Sequence, residues 1–494
     1  MAALLAVSFL GALDHTIVST SLATVAGELG ALQHMSWVVV GYTLASTVLL
    51  PVLGGLGDRV GPRMVFLIAL IGFVAASFVC GLAHDMTQLV VARVLQGMSA
   101  AGLQLMSQTI VAEVTTPRQR PAYLSLIGAA FPVAILIGPL LGGLITDRWG
   151  WPWVFWINVP VGLAALLLAV VAVPHIEPAG KKRFDVVGAV LLTAVLVAVV
   201  LAVAWFSSGN SAAWIALGAG VAALGGLVVV ERGQKNPIIP VHLFRNRTFS
   251  AGVGLSAVMG AGLISATAYL PTYFQMAYGV SATISGLVPI ATVLGMLVGN
   301  LVTGWLASRT GRYRVFPIIG TVMGALGLGA MSLLPGGAPL WVPALIMAFV
   351  GLGTGAFMSL AIAIVQGAAP RSELGAATAT ATAGLSGQIG STVGSAVVGG
   401  VVGFGVASLL PTGLDSHTLT PALVHAADPA LQAEIAAIYH DVFSPVFLAL
   451  AGVYILGFIA ALLLPDGRLS DDAAGSADTA AMDDSAGLAL QGKD

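Results

Sequence analysis

The stretch GGLGDRVGPR, residues 54–63, decides the fold, because a second version of it, GWLASRTGRYR, occupies residues 304–314. Each copy follows the second predicted span of a six-span set when two further spans are treated as an insert. Chance recurrence of glycine and arginine in tight turns is the alternative, but the matched phase and spacing favour a repeat. Two six-span halves in parallel orientation are typical of transporters whose site lies near the membrane midplane.

The composition places the whole chain in a bilayer. Of 494 residues, 58% are apolar and only 8% are charged, whereas a soluble protein carries roughly 25% charged residues. The net charge of −2 and the lack of a basic domain exclude nucleic-acid binding. The single cysteine excludes an internal disulfide, and no cluster with metal-ligand spacing is present, so we expect no metal. The chain is therefore predicted to be an all-α integral membrane protein.

Hydropathy predicts fourteen membrane-spanning helices, each of about 20 residues or more. Their predicted positions are 3–25, 37–56, 64–83, 87–112, 121–145, 153–173, 185–206, 212–231, 249–275, 283–307, 315–334, 340–366, 375–407 and 443–464.

These spans divide the chain into four parts. Residues 1–173 form an N-terminal six-helix bundle, and 174–248 hold two inserted helices with cytoplasmic loops. Residues 249–464 form a C-terminal six-helix bundle, which includes a long outer loop at 408–442. Residues 465–494 are rich in alanine and aspartate and are predicted to be a disordered acidic cytoplasmic tail.

The basic residues predict the orientation. When the N-terminus is placed in the cytoplasm, 17 of the 19 lysines and arginines fall in inner loops or the inner tail. Arg148 alone lies in an outer loop, and Arg93 alone lies inside a span. Because cytoplasmic loops carry an excess of lysine and arginine, we expect a multi-pass protein of the cell membrane with both termini in the cytoplasm.

Several motifs resemble those of the fourteen-span drug:proton antiporters of the major facilitator superfamily. They are the loop at 54–63, Leu13-Asp14-x-Thr16-x-Val18 in span 1, Arg93-x-x-Gln96-Gly97 in span 4, Gly138-Pro139-x-x-Gly142-Gly143 in span 5, and 153–162 at the start of span 6. The resemblance covers the chain except for its acidic tail. It implies the major facilitator fold, with two six-helix bundles plus two inserted helices.

Asp14 and Arg93 are the predicted proton-coupling residues. Asp14 lies about 16 Å from the inner end of its span, at 1.5 Å per residue, where an ionisable group costs about 2.5–3.5 kcal/mol. Such a carboxyl can exchange a proton or attract a cation. Arg93 keeps its proton but can pair with a carboxylate, and the resemblance implicates it in coupling. The alternatives are a packing Asp14 bonded to Thr16 or Ser19, and a fixed structural pair.

Asp58 is the centre of a predicted conformational latch. It ends a helix, where a negative charge opposes the helix dipole, so it needs a cation such as Arg59 or Arg63, or the N-terminus of another helix. The resemblance implies that Asp58, Arg59, Gly61 and Arg63 hold the two halves together on the cytoplasmic side in the outward-open state. Ser308 replaces the acid in the second copy. The alternative is a simple turn of solvated charges.

The antiporter motif and the substrate cavity are predicted from residue types. Proline bends helices and glycines allow close helix approach, so Gly138, Pro139, Gly142 and Gly143 can seal or bend span 5; ordinary small-residue packing is the alternative. Polar and aromatic residues in or near spans are cavity candidates, although interface anchoring or packing explains each one equally well. The cavity candidates are Tyr42, Gln96, Gln104, Gln108, Phe131, Tyr269, Tyr273, Asn300 and Gln388.

The sequence therefore predicts a proton-coupled antiporter that exports lipophilic or monocationic drugs by alternating access. We expect a transporter and not an enzyme. We expect it to work as a monomer surrounded by membrane lipids, with the proton gradient as its energy source and no cofactor. The sequence contains no phosphate-binding loop of the G-x-x-x-x-G-K type, so we do not expect the protein to use ATP. Spans 10 and 13 carry no acid, which predicts a low proton stoichiometry. The alternatives are an exporter of an endogenous lipid or antibiotic-like metabolite and a non-transporting membrane receptor or enzyme.

Overall fold

The protein is described by a computed structural model over residues 1–29, 35–178, 185–207, 211–233, 241–369, 375–411, 419 and 421–469, and this part contains helices but no β-strand. Thirteen helical segments are long and apolar enough to cross a membrane. The seventh predicted span is also a helix, Val186–Ser207, whose apolar stretch over Val186–Ala202 is shorter. The all-α membrane fold is thus confirmed.

The N-terminal half contains six spans, the last of which is divided into two helices. Its helices are α1 (Ala2–Leu29), α2 (Met35–Val60), α3 (Pro62–Cys80), α4 (Met86–Val114), α5 (Arg120–Trp149), α6 (Pro152–Trp156) and α7 (Asn158–Ala172). Two inserted helices follow, α8 (Val186–Ser207) and α9 (Ala212–Gly233).

The C-terminal half again contains six spans. A short 3-10 turn at Val241–Arg245 leads into the first, which is α10 (Arg247–Met259) joined through a π-helical turn at Gly260–Ile264 to α11 (Ser265–Ala277). The others are α13 (Leu287–Thr310), α14 (Val315–Ser332), α15 (Trp341–Ala368), α16 (Ala376–Leu409) and α18 (Pro429–Leu462), with short helices α12 (Ala282–Ser285) and α17 (Pro421–Ala426).

The two halves pack their helices in the same pattern. In the first half α2 packs on α4, α3 on α4 and α7, and α1 on α5. In the second half the corresponding contacts join α13 to α15, α14 to α15 and α18, and α10 to α16. The structure therefore confirms that the sequence repeat marks two related six-span bundles.

The repeat also marks where the halves meet, since α2 packs on α16 and α5 packs on α13. Gly54 and Gly304 occupy matching positions at these two crossings. A Cβ on Gly54 would lie 2.7 Å from the Cβ of Ala381, and one on Gly304 would overlap the side chain of Ser125. Glycine at both positions lets helices of opposite halves approach closely.

The inserted helices lie beside the junction of the two halves. α8 packs on α9 and contacts both α2 and α16. Val48 of α2, Leu192 and Leu196 of α8, and Leu385 of α16 share one buried apolar cluster. The exact boundaries predicted for the bundles and the insert stay a prediction.

The prediction of an outer loop at 408–442 is wrong in part, because α18 begins at Pro429 and not near residue 443. Asp428 accepts hydrogen bonds from the backbone N–H groups of Ala430 and Leu431, and Pro429 occupies the first turn, so this is a capped helix start. Within the predicted loop, residues 412–418 and 420 lie outside the described residues.

The first five residues of the predicted disordered tail, 465–469, make defined contacts. Pro465 accepts a hydrogen bond from the Tyr313 hydroxyl (3.0 Å), and the backbone N–H of Leu469 donates to Gly311 (2.8 Å). Asp466 forms an ion pair with Arg314 at 2.8 Å. Residues 465–469 thus pack against the turn that contains the second repeat, and residues 470–494 lie outside the described residues.

Candidate functional site

Asp14 and Arg93 meet in the interior of the N-terminal half. Asp14 lies in the middle of α1 and Arg93 in the first half of α4, and their side chains are 0% and 1% exposed. Arg93 Nη1 donates to Asp14 Oδ2 at 2.7 Å. The sequence predicted both residues separately, and the structure brings them into one buried ion pair.

Amide and hydroxyl groups complete the shell around this carboxylate. Gln96 Nε2 donates to Asp14 Oδ1 (2.8 Å) and Ser77 Oγ (2.7 Å), while its Oε1 accepts from Arg93 Nη1 (2.7 Å). Asn158 Nδ2 donates to Asp14 Oδ1 at 2.7 Å. Gln96, predicted as a cavity residue, is instead 0% exposed and belongs to the ion-pair network.

Sequence reasoning missed Asn158 and Ser77 as members of this network. Asn158 is the first residue of α7, just after the short helix α6, so the division of the sixth span directs its side chain toward Asp14. The available signal was an asparagine within an apolar span, since a buried polar side chain in a membrane requires a partner.

Aromatic rings cover the other side of Arg93. The guanidinium carbon lies 4.1 Å from the ring centroid of Tyr42 and 5.7 Å from that of Phe155. The ring of His15, which sequence reasoning did not select, lies 5.8 Å from that of Tyr42 and 6.4 Å from that of Phe131. The predicted cavity residue Tyr42 therefore lies beside the ion pair, and half-buried His15 lies between the rings of Tyr42 and Phe131.

Protonation of Asp14 would disturb this arrangement. In the described part of the chain, Arg93 is the one cationic side chain that contacts Asp14. A proton on Asp14 would cancel the carboxylate charge and leave the buried guanidinium without a counter-charge, which is costly in a low-dielectric interior. Protonation of Asp14 without movement of the helices or entry of water would therefore be costly.

Two glycines of the antiporter motif fix the helix that carries Asp14. A Cβ on Gly138 would overlap Thr16 Oγ1, and one on Gly142 would overlap Thr20 Oγ1 and lie 2.6 Å from the carbonyl oxygen of Ile17. These glycines lie at the crossing of α1 and α5, where Thr16 Oγ1 also donates to the carbonyl of Ala134 (3.0 Å).

The other two residues of the antiporter motif lie away from this crossing. Pro139 is exposed, and no atom lies within 4 Å of a Cβ added to Gly143.

Asp58 caps a helix of the opposite half. Its carboxylate accepts hydrogen bonds from Ala377 N (3.1 Å), Thr378 N (3.0 Å) and Thr378 Oγ1 (2.5 Å) at the start of α16. A Cβ on Gly375 would overlap this carboxylate. Of the two partners considered from the sequence, the structure selects the N-terminus of another helix, where the dipole favours a negative charge.

The other predicted latch residues, Arg59, Gly61 and Arg63, lie in the turn between α2 and α3 or at its edges. Gly61 adopts a φ of 98°, a conformation that favours glycine, and lies at the start of α3. Arg63 Nη2 donates to the carbonyl of Val170 at 2.7 Å, near the end of α7, so it joins helices within one half. Arg59 is exposed.

The second copy of the repeat makes a matching contact with a neutral residue. Ser308 Oγ accepts from the backbone N–H of Ala122, in the first turn of α5, at 3.1 Å. Arg118 donates to the carbonyls of Ser308 (3.0 Å) and Arg309 (2.8 Å). Asp58 and Ser308 thus occupy equivalent positions at the same end of the molecule, the first with a charged side chain and the second with a neutral one, and Arg118 adds two charged hydrogen bonds beside Ser308.

Two more polar contacts between the halves involve cavity candidates. Asn300 is buried and its Nδ2 donates to the carbonyl of Ser125 at 2.8 Å. The carbonyl of Gln108 accepts from Gln366 Nε2 at 3.2 Å. These residues therefore join the two halves.

The remaining cavity candidates lie on three different helices, α4, α11 and α16. Gln104 is exposed on α4, and it lies on the opposite side of this helix from Leu95, which is also exposed. Tyr269 is half-buried and donates to the carbonyl of Ser395 (3.1 Å), and Gln388 is half-buried.

Tyr273 does not line an open cavity. It is 1% exposed and packs against Phe443 and Phe447, with ring centroids at 4.9 and 5.4 Å. Its hydroxyl lies 3.2 Å from His440 Nδ1. Within the described residues no group of three or more His, Cys, Asp and Glu could hold a metal ion.

Comparison with known proteins agrees with this architecture. The profile of the Major Facilitator Superfamily matches residues 4–395. An uncharacterized MFS-type transporter of Mycobacterium tuberculosis is 34% identical over 471 residues, 93% of this chain and 68% of that protein. The multidrug transporter protein MdtP of Bacillus subtilis is 33% identical over 378 residues, 75% of this chain and 69% of that protein.

A solved structure supports the same fold. The human organic anion transporter MFSD10 superposes with a TM-score of 0.61 at 16% sequence identity, over 93% of this chain and 99% of that one. The relatives are transporters and not enzymes, and the apolar helices make the chain a multi-pass membrane protein. The chain therefore belongs to the Major Facilitator Superfamily.

Proposed function

We propose that this protein is a proton-coupled antiporter that exports lipophilic or monocationic drugs. The observation that carries the proposal is the fully buried Asp14–Arg93 ion pair, which touches the aromatic side chains Tyr42 and, through it, His15. Ionisable residues inside a membrane bundle are energetically costly, and they typically mark functional sites. Aromatic faces bind organic cations, and the relative MdtP is named a multidrug transporter.

The contacts between the halves support alternating access. Asp58 with α16 and Ser308 with α5 close one end of the molecule, the end that the distribution of basic residues assigns to the cytoplasm. We take this closed end as support for an outward-facing state. In that state, protonation of Asp14 displaces the substrate outward, and loss of the proton to the cytoplasm resets the cycle.

Transport in proteoliposomes with an imposed pH gradient tests the proposal. The purified protein is expected to move a lipophilic cationic dye against the concentration gradient of the dye when the pH gradient is imposed. Asp14→Asn is expected to abolish this movement. Asp147→Asn, an exposed residue at the end of α5, is the matched control and should retain it. Unchanged, pH-dependent transport by the correctly folded Asp14→Asn variant would contradict proton coupling through this residue.

A neutral dye of similar size tests the substrate class in the same vesicles. Both dyes should be transported, because the half-buried ring of Phe131 offers apolar contact that requires no charge on the dye. Transport of neither dye by folded protein would contradict the proposed class of substrate.

A further inference from the structure

An apolar groove lies between α10, α16 and α18, away from the Asp14 site. We call it the α16 groove; it has a volume of about 640 Å³, which falls within the range of about 300–1,000 Å³ typical of ligand pockets. Its wall on α16 extends from Thr382 to Val401, about 28 Å at 1.5 Å per residue. The groove therefore follows most of the thickness of a bilayer's hydrocarbon core.

The groove offers almost no polar group to an occupant. The hydroxyls of Thr382 and Ser386 donate to the carbonyls of Thr378 (2.8 Å) and Val253 (3.1 Å). Val393 and Val397 are exposed along its length, at 45% and 58%. Such a surface suits a hydrocarbon chain and provides no site for a hydrophilic ligand.

Glycine packing creates the recess. A Cβ on Gly390 would overlap the carbonyl oxygen of Ala257, so α16 and α10 touch backbone to backbone at this point. Ala449 of α18 lines the groove and is exposed. The small side chains leave a channel between helices that larger side chains would fill.

Two arginines lie beside Phe244 in the chain, at one end of the groove. Phe244 lines the groove and is 41% exposed, and the neighbouring side chains of Arg245 and Arg247 are also exposed. Within the residues that the structure describes, neither arginine forms an ion pair. Ser250 Oγ donates to the carbonyl of Phe244 at 2.6 Å and holds this turn against the start of α10.

We propose that the α16 groove binds an anionic diacyl phospholipid, with an acyl chain along α16 and the phosphate on Arg245 and Arg247. Basic residues between membrane helices at the cytoplasmic surface attract anionic headgroups, and the distribution of basic residues assigns this end to that surface. The same two arginines repel a cationic drug, so the charge favours an anionic lipid over a transport substrate. α16 also begins at the Asp58 contact, so a bound lipid supports the helix that forms the latch.

Native mass spectrometry of the delipidated full chain tests this proposal with phosphatidylglycerol and phosphatidylcholine of identical acyl chains. The protein is expected to retain phosphatidylglycerol preferentially. Substitution of both arginines, Arg245→Ala with Arg247→Ala, should weaken this retention at least about tenfold. Arg312→Ala, an exposed arginine of another loop on the same predicted side, is the matched control and should change nothing.

A second pair of variants tests the acyl-chain portion. Ala449→Phe fills the groove and should reduce retention of phosphatidylglycerol, whereas Leu448→Phe, on an adjacent exposed position outside the groove, should not. Equal retention of the two lipids by the wild-type protein would overturn the proposal. So would unchanged phosphatidylglycerol binding in Ala449→Phe together with lost dye transport, a result that would assign the groove to the substrate.

Discussion

At the scale of single residues, the carboxylate of Asp14 depends on Asn158. Asn158 supplies one of three donors to this carboxylate, beside Arg93 and Gln96. Asn158→Leu leaves the buried carboxylate with one hydrogen-bond donor fewer, which costs about 1–3 kcal/mol, so proton-driven dye efflux and the melting temperature should both fall. Ser77→Ala is the control, because Ser77 contacts the two amides but not Asp14; a larger loss of efflux from Ser77→Ala would contradict the assignment.

The same scale shows what the sequence could not provide. Asp14 and Arg93 were predictable because charges inside spans are rare. Gln96 was selected with other amides as a cavity residue, since hydropathy cannot tell which face of a helix points to a partner helix. Tyr273 was selected for its ring, yet it is buried in an aromatic cluster. Position along a span was readable, whereas the direction of the side chain required the packing of neighbouring helices.

At the scale of helices, the glycines of α5 differ in their surroundings. Gly142→Ala places a methyl group on Thr20 and Ile17 of α1, so α1 must move away from α5 at a cost of about 1–3 kcal/mol. The expected result is a lower melting temperature and weaker proton-driven efflux. Gly143→Ala meets open space and should leave both measurements unchanged or slightly improve stability. Equal effects of the two substitutions would show that α1 and α5 are not held by this crossing.

Helix ends were the least predictable elements. The start of α18 was missed because residues before Phe443 are amphipathic and include charges, which lowers hydropathy. The structure shows that Ile435 and Tyr439 of this stretch pack into the C-terminal core, so the helix extends past the apolar segment. The Asp428–Pro429 start is a recognisable cap, and capping chemistry, more than hydropathy, carried the information about this boundary.

At the scale of the whole molecule, the equivalent repeat residues Asp58 and Ser308 make side-chain contacts of unequal strength between the halves. The charged Asp58 accepts three hydrogen bonds from the start of α16, whereas Ser308 accepts one from Ala122 of α5. Hydrogen bonds to charged groups contribute about 1.5–3 kcal/mol and neutral ones about 0.5–1.5 kcal/mol. Loss of the Asp58 contact should therefore shift the balance between the outward-facing and inward-facing states more than loss of the Ser308 contact.

Distances between spin labels at Val60→Cys and Arg312→Cys, in a Cys80→Ala background, measure this balance, because both exposed positions lie at the closed end in opposite halves. Since about 1.4 kcal/mol corresponds to a tenfold change in an equilibrium, Asp58→Asn should raise the longer-distance population at least about tenfold relative to the shorter one. Ser308→Ala should have a smaller effect, and Asp147→Asn none. If Asp58→Asn left the distances unchanged while Ser308→Ala lengthened them, the latch would reside in the α5–α13 contact, and the charged copy of the repeat would serve only to shape its own loop.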